Sequence, residues 1–127
     1  FGDTVRKFIK LLPLVSVIAI VLIVGGVVAV SSARIMETGL LIMVVVICHN
    51  LFGYGLGFAA ARLLDMNMAK TKAIAIEVGM QNSGLATSLA ILHFGAAAAI
   101  PGAIFSVWHN VSGSALAAFF QRRPITD

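Results

Sequence analysis

Charged residues are scarce in this sequence, and their scarcity excludes an ordinary soluble domain. Asp, Glu, Lys and Arg make up only 11% of the 127 residues, whereas 60% are hydrophobic. A soluble domain carries about a quarter of its residues as charges, which cover its surface. The mean hydropathy of +1.03 therefore indicates a chain that lies in a lipid bilayer.

The sequence also lacks the residue patterns of most catalytic and metal sites. A single cysteine, Cys48, excludes an internal disulfide bond and argues against a zinc cluster. The histidines lie far apart, and no nucleophile elbow or zinc-protease spacing surrounds them. We therefore expect no enzyme and assign no catalytic residue. The net charge of +4 does not indicate nucleic-acid binding, because the basic residues lie only in short connections and at the ends.

Long apolar runs are what the sequence does contain. A helix needs about 20 residues to cross about 30 Å of hydrocarbon, and an open strand cannot satisfy its backbone in lipid. The predicted fold is all-α and transmembrane, with four spanning helices at residues 11–30, 38–61, 73–94 and 96–120. The predicted connections are Ser31–Glu37, Arg62–Lys72 and a tight turn at Gly95.

The distribution of basic residues supports four spans. Four crossings place both termini and the second connection on one side, which then carries eight of the nine Lys and Arg residues. Only Arg34 lies on the other side. The positive-inside rule then predicts that both termini are cytoplasmic. The eight residues are Arg6, Lys7, Lys10, Arg62, Lys70, Lys72, Arg122 and Arg123.

The second span carries small residues on one helical face. Gly53, Gly57 and Ala61 recur at every fourth position, a pattern that allows another helix to approach closely. His49 and Asn50 lie near the middle of this span and need polar partners there. Hydrogen bonds to another helix are favoured for these two residues over direct contact with a ligand.

The third span contains the most polar stretch of the chain, EVGMQNSG at residues 77–84. A carboxylate at the centre of a bilayer costs about 2.5 kcal/mol or more and marks a candidate functional site. One interpretation is a straight helix whose polar stripe packs on a neighbour. The other is a helix that breaks between Gly79 and Gly84, which frees carbonyls for a hard cation and N–H groups for an anion. The density of polar groups favours the break.

The fourth span also has a polar face. That face consists of Ser106, His109, Asn110 and Gly113, and the opposite side carries Phe105 and Trp108. The polar face either packs on the third span through hydrogen bonds or lines a polar cavity. The short connection between the third and fourth spans predicts that they are antiparallel neighbours.

These stretches together resemble the bile acid:sodium symporter family, including its bacterial homologues. The segment EVGMQNSGL at residues 77–85 is similar to the family signature, and residues 101–114 are similar to its last helix. Residues 49–57 and 13–17 resemble the two preceding helices. The resemblance implies ten helices in two inverted repeats, with a panel domain and a core domain in which two broken helices cross.

This chain would supply the last four of those helices. Residues 1–37 would hold one panel-domain helix, and residues 38–127 would hold three core-domain helices. The sequence lacks the first repeat and the first helix of the second repeat. We therefore expect a C-terminal portion whose partners include the missing N-terminal helices, and which does not transport alone.

The resemblance also implies roles for individual residues, with Na⁺ as the bound ion. Glu77 and the side chain of Gln81 would bind sodium, together with the carbonyls of Val78 and Met80. The residues that would line the substrate cavity are Asn82, Ser106, His109 and Asn110. The glycines with structural roles would be Gly79, Gly84, Gly53, Gly57 and Gly113.

The expected function is sodium-coupled symport of an organic anion, a bile acid or a smaller carboxylate, by alternating access in a bacterial inner membrane. Two alternatives remain open at this point. One is a small four-helix, proton-coupled transporter that acts as a dimer. The other is a membrane assembly subunit without transport activity, whose polar residues only hold helices together.

Overall fold

In the part of the chain that the structure, a computed structural model, describes, every regular element is a helix. That part comprises the backbone of residues 2–122, with the side chains of Ile9 and of residues 11–122. The helices are α1 (Gly2–Leu63), α2 (Met68–Met80), α3 (Ser83–Phe94) and α4 (Ile100–Gln121), with a 3₁₀ turn at Ala96–Ala99. The predicted basic side chains of Arg6, Lys7, Lys10 and Arg123 lie outside the described residues.

The predicted connection at Ser31–Glu37 is wrong, because α1 runs through it without interruption. This segment contains no Gly or Pro, and Ala, Arg, Met and Glu favour helix. The first two apolar runs therefore belong to one helix of 62 residues. Its Pro13 lies within the first apolar run and does not end the helix.

Although continuous, α1 is not straight. A straight helix would separate Ile20 from Gly53 by about 50 Å at about 1.5 Å per residue. However, a Cβ atom added to Gly84 would lie 3.4 Å from Ile20 Cγ1, and one added to Gly53 would lie 3.0 Å from Gly79 Cα. Gly79 and Gly84 are separated by at most about 18 Å of chain. The helix therefore bends strongly between Ile20 and Gly53.

An apolar cluster fills the inside of this bend. Val27 packs there with Ala99, Ile100 and Ala103 from the 3₁₀ turn and the start of α4, all nearly inaccessible to solvent. The α1 residues on the same face are Val24, Val27, Ser31, Ile35 and Ile42. Two features within the bent stretch favour bending: the Ser31–Ser32 pair, and the Thr38 hydroxyl, which donates to the Arg34 carbonyl at 2.9 Å.

The second connection is shorter than predicted. Helix α1 ends at Leu63, and Asn67 begins α2 by accepting a hydrogen bond from the Lys70 N–H at 3.0 Å. Asp65 adopts a positive φ of 53° in this turn. The predicted third span is interrupted, since α2 ends at Met80 and α3 begins at Ser83. Of the two interpretations of that span, the broken helix is the one observed.

Helix α4 returns along α2 after the turn at Gly95. Gly95 adopts a φ of 92°, which ends α3, and Pro101 lies in the first turn of α4 where no N–H is required. At the other end of α4, Lys72 Nζ donates to the Phe120 carbonyl at 3.2 Å. The start of α2 and the end of α4 are therefore adjacent, which agrees with the predicted antiparallel packing around the break.

Among the described residues, two stretches are long and apolar enough to cross a membrane, Leu11–Leu63 with 53 residues and Ala96–Gln121 with 26. Helices α2 and α3 have only 13 and 12 residues. Each would extend about 20 Å, too short for about 30 Å of hydrocarbon. Large apolar side chains remain exposed along α1, for example Leu22 at 70% and Leu40 at 83%. Such a surface is typical of a lipid-facing helix.

Candidate functional site

The interruption between α2 and α3 is the centre of the candidate site. Gln81 adopts φ 51° and ψ 168°, a conformation that is nearly restricted to glycine. A non-glycine residue there costs of order 1–3 kcal/mol and persists only where surrounding contacts impose it. This backbone strain falls within the polar stretch of residues 77–84.

The strained residue leaves carbonyl groups exposed at the end of α2. The Glu77 carbonyl accepts the Gln81 N–H at 3.4 Å, and the Gly79 carbonyl accepts the Asn50 amide at 2.8 Å. Among the described residues, no hydrogen bond reaches the carbonyls of Val78 or Met80. These two carbonyls are the ones to which the family resemblance assigns a role in sodium binding.

The Glu77 side chain faces a cavity of about 580 Å³. One wall of this cavity comes from Val17, Ile20 and Val21 in the N-terminal half of α1. The polar lining consists of Glu77, Gln81, Asn82, Ser83, Ser106, His109 and Asn110. The structure therefore brings together the predicted side chains from α2, the break and α4. Within the described part, Glu77 is the one charged residue of the lining, and no hydrogen bond or ion pair engages its carboxylate.

The Gln81 side chain contacts His49 of α1. Gln81 Nε2 lies 2.9 Å and Gln81 Oε1 lies 3.3 Å from His49 Nε2. The shorter contact is an N–H···N hydrogen bond when the amide donates to an unprotonated His49 Nε2. That arrangement leaves both lone pairs of Gln81 Oε1 available. His49 thus hydrogen-bonds to a residue in the break of the predicted third span, and the sequence had favoured such a bond over direct contact with a ligand.

Asn82 caps α3 with its side-chain oxygen. Its Oδ1 accepts the Leu85 N–H at 3.1 Å, so that its amide donors are free to face the cavity. In Asn110 the amide nitrogen is the engaged group, because its Nδ2 donates to the Ser106 carbonyl at 2.6 Å. Asn82 therefore presents hydrogen-bond donors to a ligand, whereas Asn110 presents an acceptor.

A short row of polar side chains joins α3 to α4 beside the cavity. Ser106 Oγ lies 2.8 Å from Ser83 Oγ, which in turn lies 3.3 Å from His109 Nδ1. Ser106 Oγ also lies 2.9 Å from the Gly102 carbonyl. The polar face of α4 therefore serves both purposes considered from the sequence, since it packs on α3 and lines the cavity. Ser83 was not assigned a role from the sequence.

Asn50 hydrogen-bonds to other helices, as the sequence favoured, but its side-chain partners on α4 were not predicted. Asn50 is completely buried, and its Oδ1 accepts hydrogen bonds from Trp108 Nε1 at 3.0 Å and Ser112 Oγ at 2.7 Å. Tyr54 Oη lies 2.9 Å from Ser112 Oγ. Phe105 is also buried, so the side of α4 opposite its polar face packs on α1 here. The available signal was that buried Trp and Tyr side chains require polar partners.

Glycines allow α1 and α4 to approach the break closely. A Cβ atom on Gly53 would lie 3.0 Å from Gly79 Cα, and one on Gly57 would lie 3.1 Å from Ala75 Cα. A Cβ atom on Gly79 would overlap the Tyr54 ring, and one on Gly113 would lie 2.8 Å from Met80 Sδ. Gly84 is less confined, with Ile20 Cγ1 at 3.4 Å.

The two helix ends that meet at the break carry partial charges of opposite sign. The C-terminal end of α2 carries partial negative charge, and the N-terminal end of α3 carries partial positive charge. Among the described residues, the N–H groups of Ser83 and Gly84 donate no hydrogen bond. A cation is therefore favoured beside Glu77 and the α2 carbonyls, and an anion is favoured beside the first turn of α3.

Known proteins that are similar to this chain are named as sodium-dependent transporters or sodium/metabolite cotransporters. The chain is 54% identical over 123 residues to an uncharacterized sodium-dependent transporter, YocS, of Bacillus subtilis. It is 34% and 32% identical to probable chloroplastic sodium/metabolite cotransporters named BASS1 in Oryza sativa and Arabidopsis thaliana. No family model matches the chain. These relatives are named as transporters, in agreement with the expectation that the chain is not an enzyme.

The matches include nearly all of this chain but only part of each relative. They span 97%, 92% and 96% of the chain, yet 38%, 29% and 31% of the three relatives. The chain therefore spans about a third of the length of the curated proteins it matches. It is a homologue of the sodium-dependent transporters of the bile acid:sodium symporter family and corresponds to a part of them.

Proposed function

We propose that this chain forms part of a symporter that couples the entry of sodium to the uptake of an organic anion, a bile acid or a smaller carboxylate. The observation that carries the proposal is the strained break at Gln81. Among the described residues, two carbonyls there accept no hydrogen bond, and the neighbouring Glu77 carboxylate has no partner. The names of the relatives support sodium as the coupling ion and a metabolite as the substrate.

The sodium ion binds on the α2 side of the break. Its ligands are the Glu77 carboxylate, the carbonyls of Val78 and Met80, and the Gln81 amide oxygen. Oxygen donors of this kind suit a hard cation. The carboxylate supplies the negative charge, and the end of the α2 dipole adds to it. Further ligands come from the missing N-terminal helices of the transporter, which are partners of this chain.

The organic anion binds on the α3 side of the same cavity. The free amide donors of Asn82 and the N–H groups that begin α3 face its carboxylate or sulfonate. Ser106 and His109 border this position, and the Asn110 oxygen accepts from a substrate hydroxyl. Sodium neutralises Glu77, whose charge would otherwise repel the anion, and the two ligands therefore favour each other's binding.

Transport proceeds by alternating access between two domains. Residues 1–37 contribute a panel-domain helix, and residues 38–127 contribute core-domain helices. In support, the cavity lies between Val17, Ile20 and Val21 on one side and α2–α4 on the other. The bend in α1 lets the chain cross a bacterial inner membrane four times, with both termini in the cytoplasm and most basic residues on that side.

Sodium-dependent uptake by the complete transporter polypeptide that contains this segment tests the proposal. In proteoliposomes, Glu77→Ala and Gln81→Ala should each raise the sodium concentration that gives half-maximal uptake. Replacing a residue that only supports a metal ligand typically changes metal affinity by about 10–100-fold, and the effect here should be larger. Glu37→Ala is the matched control, because Glu37 is exposed on α1 and lies outside the cavity lining. It should leave the sodium dependence unchanged.

The same measurement separates the alternatives. Undiminished sodium-dependent uptake in both variants would overturn the sodium site. Uptake driven by an imposed proton gradient without sodium would instead favour the proton-coupled dimer. Full activity of Glu77→Gln would favour an assembly role, because the amide keeps the shape of the side chain and removes its charge.

A further inference from the structure

The geometry points to His49 as the positioning residue for the sodium ligand Gln81. This inference rests on the proposed function and extends it to a residue on α1, outside the polar stretch of residues 77–84. His49 would not touch sodium. It would fix the orientation of the Gln81 amide, so that the amide oxygen and not the amide nitrogen faces the ion.

The amide of Gln81 needs such an external constraint. An amide side chain presents oxygen or nitrogen equally well by rotating about its last torsion, and only the oxygen binds a cation. The Gln81 side chain is exposed, and its hydrogen bonds within the described part of the chain are to His49. The shorter contact, 2.9 Å, joins Gln81 Nε2 to His49 Nε2. When His49 Nε2 is unprotonated, it accepts from the amide nitrogen and cannot donate to the oxygen at 3.3 Å, which leaves the oxygen for sodium.

His49 is itself held in place by aromatic packing. Its ring meets the Phe105 ring edge-on with centroids 5.9 Å apart, and Phe105 meets His109 in the same manner at 5.3 Å. Phe105 is buried, so it gives the imidazole a fixed support. The exposed imidazole therefore lies between a buried ring on α4 and the strained residue of the break.

His49 lies in a different cavity from the proposed sodium ligand Glu77, so it is not itself proposed as a sodium ligand. It lines a second cavity of about 250 Å³, whereas Glu77 lines the larger one. Gln81, Asn82 and Ser83 border both cavities. His49 thus contacts Gln81 from a different cavity from the one that Glu77 lines. Residues that orient a metal ligand from behind typically change metal affinity by about 10–100-fold when replaced.

Two substitutions distinguish hydrogen bonding from packing. His49→Phe keeps an aromatic ring against Phe105 and removes the hydrogen bond to Gln81. His49→Gln keeps a group that accepts and donates hydrogen bonds and removes the ring. His93→Phe is the matched control, because His93 is exposed at the end of α3 and its ring contacts Phe94.

The experiment measures equilibrium binding of ²²Na⁺ to the purified complete transporter, with the total number of sites at saturating sodium as the measure of folded protein. We expect His49→Phe to weaken sodium binding by about tenfold or more at an unchanged number of sites. His49→Gln should bind sodium within about threefold of the unmodified protein, and His93→Phe should bind normally.

Each other outcome overturns the inference. Normal binding by His49→Phe would show that the hydrogen bond has no effect on the sodium site. Equal weakening in both His49 variants, or weakening in His49→Gln alone, would assign His49 to packing. A different result would remove the proposed function itself: no sodium binding by the unmodified transporter, or normal binding by Glu77→Ala.

Discussion

At the scale of single residues, α1 determines which groups at the break are free. Asn50 donates to the Gly79 carbonyl, and the carbonyls on either side of it, from Val78 and Met80, accept no hydrogen bond among the described residues. Removing a partner from a buried polar group costs about 1–3 kcal/mol. The network of Asn50 with Trp108 and Ser112 therefore stabilises one arrangement of the α2 terminus.

Gly57 and Gly55 provide a matched test of this close packing. A Cβ atom on Gly57 would lie 2.9 Å from Val78 Cβ and 3.1 Å from the Ile74 carbonyl oxygen, whereas one on Gly55 meets nothing within 4 Å. Gly57→Ala should therefore destabilise the fold by about 1–3 kcal/mol, as expected for overpacking. Gly55→Ala gains helix propensity and should be neutral or stabilising by up to about 1 kcal/mol. The measurement is thermal unfolding of the detergent-purified transporter. Equal effects of the two substitutions would show that α1 does not contact α2 at Gly57.

At the scale of elements, the break was predictable and the bend was not. Polar residues between two glycines in an apolar run indicated an interruption, because a lipid-embedded straight helix gains nothing from so many polar groups. The residues 31–37 gave no comparable signal. The lengths of the apolar runs and the distribution of basic residues predicted a non-helical connection, but the local sequence has no helix-breaking residue. Contacts between distant segments, such as Asn50 with Gly79, depend on the bend and were not available from the sequence.

The strain at Gln81 leads to a prediction about the break as an element. Gln81→Ala and Gln81→Gly both remove the amide, but only glycine adopts φ 51° and ψ 168° without strain. Gln81→Gly should therefore be more stable than Gln81→Ala by about 1–3 kcal/mol. Thermal unfolding without sodium measures this difference. Both variants should need the same raised sodium concentration for half-maximal uptake, because both lack the amide. Equal uptake with unequal stability would separate the function of the side chain from the conformation of the backbone. Equal stability would mean that Gln81 relaxes to an ordinary conformation.

At the scale of the whole molecule, the bend in α1 makes one cavity out of distant parts of the chain. Ile20 and Gly53 both lie beside the α2–α3 break, although 33 residues separate them in the sequence. The N-terminal half of α1 thereby supplies an apolar wall to a site whose polar groups come from α2–α4. Movement of that wall relative to the break would open or close the cavity, as the proposed alternating access requires.

Cross-linking of Ile20 to Gly84 tests the bend directly. A Cβ atom on Gly84 would lie 3.4 Å from Ile20 Cγ1, so two cysteines at these positions would have Cβ atoms close to the separation of about 3.5–4.5 Å found in disulfides. In a background with Cys48→Ser, which removes the single cysteine of this chain, Ile20→Cys with Gly84→Cys should cross-link rapidly under mild oxidation in membranes. The protein with a protease site introduced between the two positions should then migrate as one band after cleavage.

Val30→Cys with Gly84→Cys is the control, because Val30 is exposed on α1 and does not line the cavity. This control should yield two bands. A straight α1 would carry its N-terminal half far from the break, so the absence of cross-linking between positions 20 and 84 would show that α1 does not fold back along the site. If the proposed function is right, sodium and the organic anion should change the rate of cross-linking, because the proposed alternating access moves the cavity wall.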